Sequence, residues 1–296
     1  MQIRFIILLL LSSFLNAATL KPESVQAWDH YLAVAEAKMA KRAQPNAVFL
    51  WIDESPERRQ QAQSGEILVS ETFSGVNKKA PGAMIHDWTG AAFIAGANIE
   101  EVLAVIRNYD KYADYYKPAV IHSKTVTRNS SNDRFSILLM NQSLVLKTAL
   151  TSDYQSTFTQ LSDTRWFGKT VATRIQEIDD FGHPDEHILP VGEGGGFLWR
   201  LASFTRFEEQ DGGVYVELEV MALSRDVPMS LRFFVDPIIR RVSRNSLTES
   251  LTQTGKAVGE LRAANGGDSK APREERNQGS PRLRPASSLG MAITNP

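Results

Sequence analysis

Asp185, Glu186 and His187, with His183 close by, form the densest run of metal-ligating side chains in this chain. A His-x-x-x-His spacing puts two imidazoles on one face of a helix and can hold zinc. Pro184 and the neighbouring glycines make the run a loop instead, where single histidines are usually solvated. The stretch Gly192-Glu193-Gly194-Gly195-Gly196 has the glycine content of a phosphate loop. It lacks the Gly-Lys-Ser/Thr ending and leads into a strand rather than a helix, so it reads as a connection or a lip beside a cavity. His86 and Asp87 are the right types for an acid/base pair. They are adjacent in a run with strand character, and adjacent strand residues point to opposite faces. His122 shares its side of a strand with Val120 and Lys124, a face read as wet. No Gly-x-Ser-x-Gly elbow is present. Arg134, Arg174, Arg200 and Arg206 fall in strands. One of them turned inward could hold a carboxylate or phosphate by a bidentate contact, with Arg134 the possible polar anchor, although all four are expected on the wet face. These residues assign no catalytic group, no metal site and no cofactor.

Composition narrows the classes further. The chain has 296 residues, with 33 Lys plus Arg against 34 Asp plus Glu, so there is no global pull toward nucleic acid. The absence of cysteine excludes disulfides and thiol chemistry. Residues 1–18 read as a cleaved signal peptide: Arg4, an apolar run from Phe5 to Leu11, then the small residues Ala17 and Ala18. The run is too short to span a bilayer, no second one is long enough, and a soluble protein exported to the periplasm or beyond is expected.

The elements that must position any site follow in order. Residues 22–43 carry Val25, Trp28, Leu32, Ala35 and Met39 on one helical face. Residues 66–73 read as a strand, and residues 85–94 as another. Asn98 with Glu101 forms a capping pair for a helix that the periodicity carries to residue 116. Then come about six strand-like runs with no helix between them. In the last, Tyr215, Glu217 and Glu219 share one face and Val216, Leu218 and Val220 the other. A short apolar helix over residues 229–235 is expected before Asp236 caps, and Pro237 opens, a long final helix. Residues 263–296 turn to Gly, Ser, Pro and charge and read as a disordered tail. The predicted organisation is a signal at 1–18, a helical and extended segment at 19–84, a main domain at 85–262 and the tail.

Residues 85–262 resemble the START-like superfamily. The likeness rests on His86-Asp87-Trp88-Thr89-Gly90, on the helix centred on Asn108-Tyr109-Asp110-Lys111-Tyr112, on the run from Gly213 to Glu219, and on Ser224-Arg225-Asp226-Val227-Pro228. The chain is most similar to bacterial members grouped with polyketide cyclases and coenzyme-Q-binding proteins. The resemblance implies an α+β helix-grip fold: a curved antiparallel sheet wrapped around a long C-terminal helix, with an apolar tunnel between them and, here, an N-terminal helical extension. It implies a lipid or other hydrophobic ligand for many members, and enzymatic activity for a minority.

On that architecture Trp88, Tyr116, Leu138, Met140, Phe158, Phe167, Trp199, Leu201, Met221, Phe234 and Ile238 are expected to line the tunnel. The leading function is an exported, non-enzymatic carrier of a lipid, isoprenoid quinone or aromatic molecule. One alternative is a cyclase or dehydratase using His86 and Arg134. Another is an envelope interaction protein whose residues 22–80 bind a partner. Arg232, Arg240, Arg241, Arg244 and Lys256 on the last helix allow a transient membrane contact, although Glu249 and Glu260 make a solvated face the simpler account.

Overall fold

The structure is a computed structural model that describes residues 18–72, 78–129, 132–142 and 147–268. The signal-like residues 1–17 and the tail from residue 269 fall outside the described residues, with the expectations placed on them.

Ten strands make one antiparallel sheet in the order β1-β3-β10-β9-β7-β6-β5-β4, with β2 paired to β3 and β8 to β7. Its long members are β3 (Ala83–Ala95), β5 (Asp133–Gln142), β6 (Lys147–Ser162), β7 (Arg165–Asp179), β9 (Arg200–Gln210) and β10 (Gly213–Arg225). The shorter ones are β1 (Leu68–Glu71), β2 (Lys79–Ala80), β4 (Val120–Thr127) and β8 (His187–Ile188). Helices α1 (Pro22–Arg42) and α2 (Pro56–Gln63) precede it. Helices α3 (Ile99–Ile106) and α4 (Tyr112–Tyr115) lie between β3 and β4, and α5 (Met229–Asp268) closes the chain.

Three layers result. The sheet grips α5 on its concave side. Close approach is possible because residue 90 is glycine: a Cβ there would lie 2.9 Å from Leu251 Cδ1 and 3.1 Å from Leu247 Cδ2. The convex side is covered by α1, whose Trp28, Tyr31, Ala35 and Met39 are buried against a cluster that includes Ile85, Trp199, Phe204, Met221 and Leu223. Burying each large apolar side chain there contributes roughly 1.5–3 kcal/mol. Residues 19–84 are therefore integral to the main domain. They supply β1 and β2 to its sheet and a helix to its back.

Several local expectations are corrected. The helix that starts at the Asn98–Glu101 capping box does not reach residue 116. It stops after Ile106, and the chain turns so that Arg107 and Tyr109 can share one buried carboxylate. Arg107 Nε and the Tyr109 hydroxyl each donate to Asp133 Oδ2 at 2.9 Å. The separate helix at 229–235 does not exist, because α5 runs unbroken through Pro237 and on to Asp268. The carbonyl that Pro237 leaves without a helical donor belongs to Phe233, a residue that is 83% exposed. Arg206, expected on the wet face, is buried instead, together with Glu217. Arg206 is 2% exposed and Glu217 0%, joined at 2.7 Å beneath α1, with Glu219 on the other side of the guanidinium at 3.0 Å. Glu217 also accepts from the backbone N–H of Trp51 at 2.7 Å. Charge alternating with apolar residues looks like a solvated face until a second layer covers it.

A candidate ligand cavity between sheet and helix

A cavity of about 670 Å³ lies between the concave face and α5, open to solvent on one side. Alternation sets its floor. Trp88 on β3 pairs with Val220 on β10, while the next residues in register, Asp87 and Met221, point to the opposite face. Leu201, Ser203 and Thr205 come from β9 and Thr170 from β7. Ser156 and Phe158 come from β6. The roof is α5 from Val242 to Thr254.

The closed end is aromatic. Tyr109 stacks on Phe135 with centroids 4.0 Å apart, and Phe135 on Tyr154 at 5.1 Å. The Tyr112 hydroxyl donates to the Ile106 carbonyl, and the Tyr116 hydroxyl meets Thr254 Oγ1 at 3.0 Å, tying α4 to α5. Burial raises the pKa of all four phenols, Tyr154 to about 12. They stay protonated at neutral pH and serve as donors, not bases.

His86 faces the cavity, and its Nε2 is 2.9 Å from Ser224 Oγ. Burial, followed by the charge of Lys78, lowers its pKa, so the ring is neutral. Asp87 lies on the other face and binds the Tyr31 hydroxyl of α1 at 2.7 Å. Alternation had separated these two already. His122 is exposed. The loop with His183, Asp185, Glu186 and His187 is exposed, and among the described residues no group of three His, Asp or Glu side chains could hold a metal ion.

Of the expected lining residues, Trp88, Tyr116, Met140, Phe158 and Leu201 bound the cavity. The others do not. Phe167, Trp199 and Met221 belong to the core under α1. They have the opposite strand parity or, for Trp199, the same convex-side packing. Leu138 sits on the outer face, opposite His122 and Thr151. Phe234 and Ile238 precede the roof segment of α5 and are 60% and 55% exposed. Arg134 is exposed on the outer side of β5, because its neighbours Phe135 and Ile137 are the ones turned inward. It anchors nothing in the cavity.

Sequence reasoning missed Tyr112, Tyr154 and the β5 series Phe135, Ile137, Leu139. The signals were present: Tyr109, Tyr112 and Tyr116 recur at spacings of three and four, and the β5 residues alternate. It also missed Glu177, which shapes the glycine run. The Glu177 carboxylate accepts the N–H groups of Gly195 at 2.6 Å, Gly196 at 2.8 Å and Phe197 at 3.1 Å. That clamp sets Phe197 and Leu198 at the cavity edge. The outer side of the same loop pairs with the start of the described chain, Ala18 N–H to Gly194 O at 2.7 Å and Leu20 N–H to Gly192 O at 2.8 Å.

No protein-family model matches the sequence, and no curated protein does. Among the helices of the described residues none is long and apolar enough to cross a membrane. Similar solved structures include a STAR-related lipid transfer protein from Xanthomonas axonopodis, at 14% identity and TM-score 0.42, covering 64% of this chain and 98% of that one. Human STARD10 matches at 7% identity and TM-score 0.42 over 77% of this chain and 87% of its own. The Zhui aromatase/cyclase of a Streptomyces species matches at 13% identity and TM-score 0.37 over 62% and 98%. The antiparallel sheet and the C-terminal helix that it grips make an α+β helix-grip architecture.

Proposed function

We propose that the protein is an exported, non-enzymatic carrier of a hydrophobic small molecule. The observation that carries this reading is the cavity itself: two apolar surfaces, sheet and helix, stand apart around about 670 Å³ instead of closing. That is the size of a small-molecule site. Transfer into such a space gains about 0.8 kcal/mol per methylene, so a chain of about ten carbons binds usefully after ordering costs. The Arg4-plus-apolar N-terminus supports export. A cyclase reading needs His86 and Arg134 together, and they lie on opposite faces of the sheet. A partner-binding role for residues 22–80 competes with their own packing on the convex side.

Native mass spectrometry of protein freshly purified from a bacterial periplasm should show a bound lipid-sized molecule. Thr205→Trp places an indole on the cavity floor, and uptake of the neutral dye Nile red should weaken about a hundredfold, roughly 2.7 kcal/mol. Only apo protein, together with no dye uptake by the folded wild type, overturns the carrier.

A carrier must reach its donor and acceptor. The first turns of α5 leave Met229, Phe233, Phe234 and Ile238 exposed at 80%, 83%, 60% and 55%. Arg240, Arg241 and Arg244 follow, against the single acid Asp236, while Arg232 is held by Asp226. Exposed aromatic residues beside uncompensated cations fit an anionic bilayer. Phe233→Asp with Phe234→Asp should lower sedimentation with phosphatidylglycerol vesicles about tenfold, about 1.4 kcal/mol, and leave dye uptake intact. Equal sedimentation by the double variant would show that the docking surface is elsewhere.

A further inference from the structure

We propose that the cavity selects an electrically neutral ligand whose polar atoms are carbonyl or hydroxyl oxygens, and rejects carboxylate and phosphate lipids. The inference rests on the carrier reading and specifies its cargo.

The first observation concerns charge. Among the described residues no Lys or Arg lines the cavity, and the one lining carboxylate, Glu249, stands at the rim. The Arg107 guanidinium lies behind the Phe158 ring at 5.3 Å and is bonded to both oxygens of Asp133, at 2.9 and 3.0 Å. It is already neutralised. An anionic head group taken into an apolar space needs a cation or several strong donors to replace its water, and without them it is excluded. His86 supplies no charge either, since its ring is neutral and engaged with Ser224.

The second observation is the placement of hydroxyls. Ser156, Thr170 and Ser203 stand directly opposite one another on β6, β7 and β9, making a polar bar across an otherwise apolar floor. Ser156 and Thr170 touch at 2.6 Å. Thr148 also lines the cavity, buried, with its Oγ1 lacking any hydrogen-bond partner. Buried hydroxyls without partners are rare because each costs about 1–3 kcal/mol. Facing this floor, α5 presents Ser246 and Ser250. Hydroxyls on both walls complement a neutral molecule bearing oxygen on both sides, such as a quinone ring or an acylglycerol. They cannot balance a full negative charge.

The test is displacement of Nile red from the full mature chain by head-group pairs with identical tails: dodecanol against dodecanoate, and diacylglycerol against phosphatidic acid, at a pH where the acids are ionised. The neutral member of each pair should bind at least about tenfold tighter. Equal or tighter binding of the anions overturns the proposal while leaving the carrier intact. No dye uptake at all overturns both. As a converse, Ser203→Lys puts an ammonium on the floor and should bring dodecanoate to parity with dodecanol or beyond. Should that variant not fold, Ser246→Lys on the roof serves the same end. A folded lysine variant that keeps the wild-type preference would show that these walls do not meet the head group.

Discussion

Glu217→Leu should destabilise the protein by about 3–5 kcal/mol, the cost of leaving a buried charge without its partner. Arg206 would remain 2% exposed with only Glu219, itself 14% exposed, against it. The N–H groups of Trp51 and Ile52 would lose the carboxylate oxygen they share. For a chain of this size the melting temperature should fall by roughly 10 °C. The double variant Arg206→Met, Glu217→Leu should recover more than half of the loss, since replacing a whole buried pair with apolar residues is often neutral. A single variant that melts within a degree or so of wild type would mean that α1 lifts away and lets water reach the arginine. Because this network lies under α1 and not in the cavity, both variants should retain ligand uptake. Stability and binding are thus separable on the two faces of one sheet.

That separation explains what the sequence could and could not disclose. Strand runs, the capping box at Asn98 and the long final helix were readable because local chemistry decides them. The hand of each strand was not. Where one face of a sheet is wet, polar alternation marks the inside. Here α1 covers the convex side, so β9 and β10 bury both faces, and Met221 looks as inward as Val220. Choosing Met221, Phe167 and Trp199 for the cavity selected the larger side chains, whereas the floor carries smaller ones, Ser203, Thr205 and Ala222, because it must leave room. A cavity is written in a sequence as small residues at alternating positions facing a helix that does not close on them. On β9 that series, Leu201, Ser203, Thr205, could have been found by asking which face of the strand is too small to fill its own space.

The buried face also carries a titration. Asp87 is fully buried, and its pKa is raised to about 7, chiefly by burial and then by the charge of Glu219, against the hydrogen bond from Tyr31. A carboxyl whose folded pKa lies above its unfolded value binds its proton more tightly when folded. Its contribution to stability is therefore fully present below the unfolded pKa of about 3.9 and is lost as pH rises through about 7. Holding the proton up to about 7 in the folded state corresponds to about 4 kcal/mol. Asp87→Asn keeps an acceptor for Tyr31 and cannot ionise. At low pH it should match wild type, and the variant should pull ahead as pH rises from about 4 to about 7. Above that range it should melt roughly 10 °C higher. Taking the difference between the two proteins cancels the groups that do not interact with Asp87, so the curve reports Asp87 and its coupling to Glu219. If the difference stays flat with pH, the carboxyl is ionised without penalty, and the contact between α1 and β3 at Tyr31 must admit enough water to solvate it. A rising difference instead makes this contact looser in alkaline than in acid solution, with the cavity on the far side of the sheet untouched.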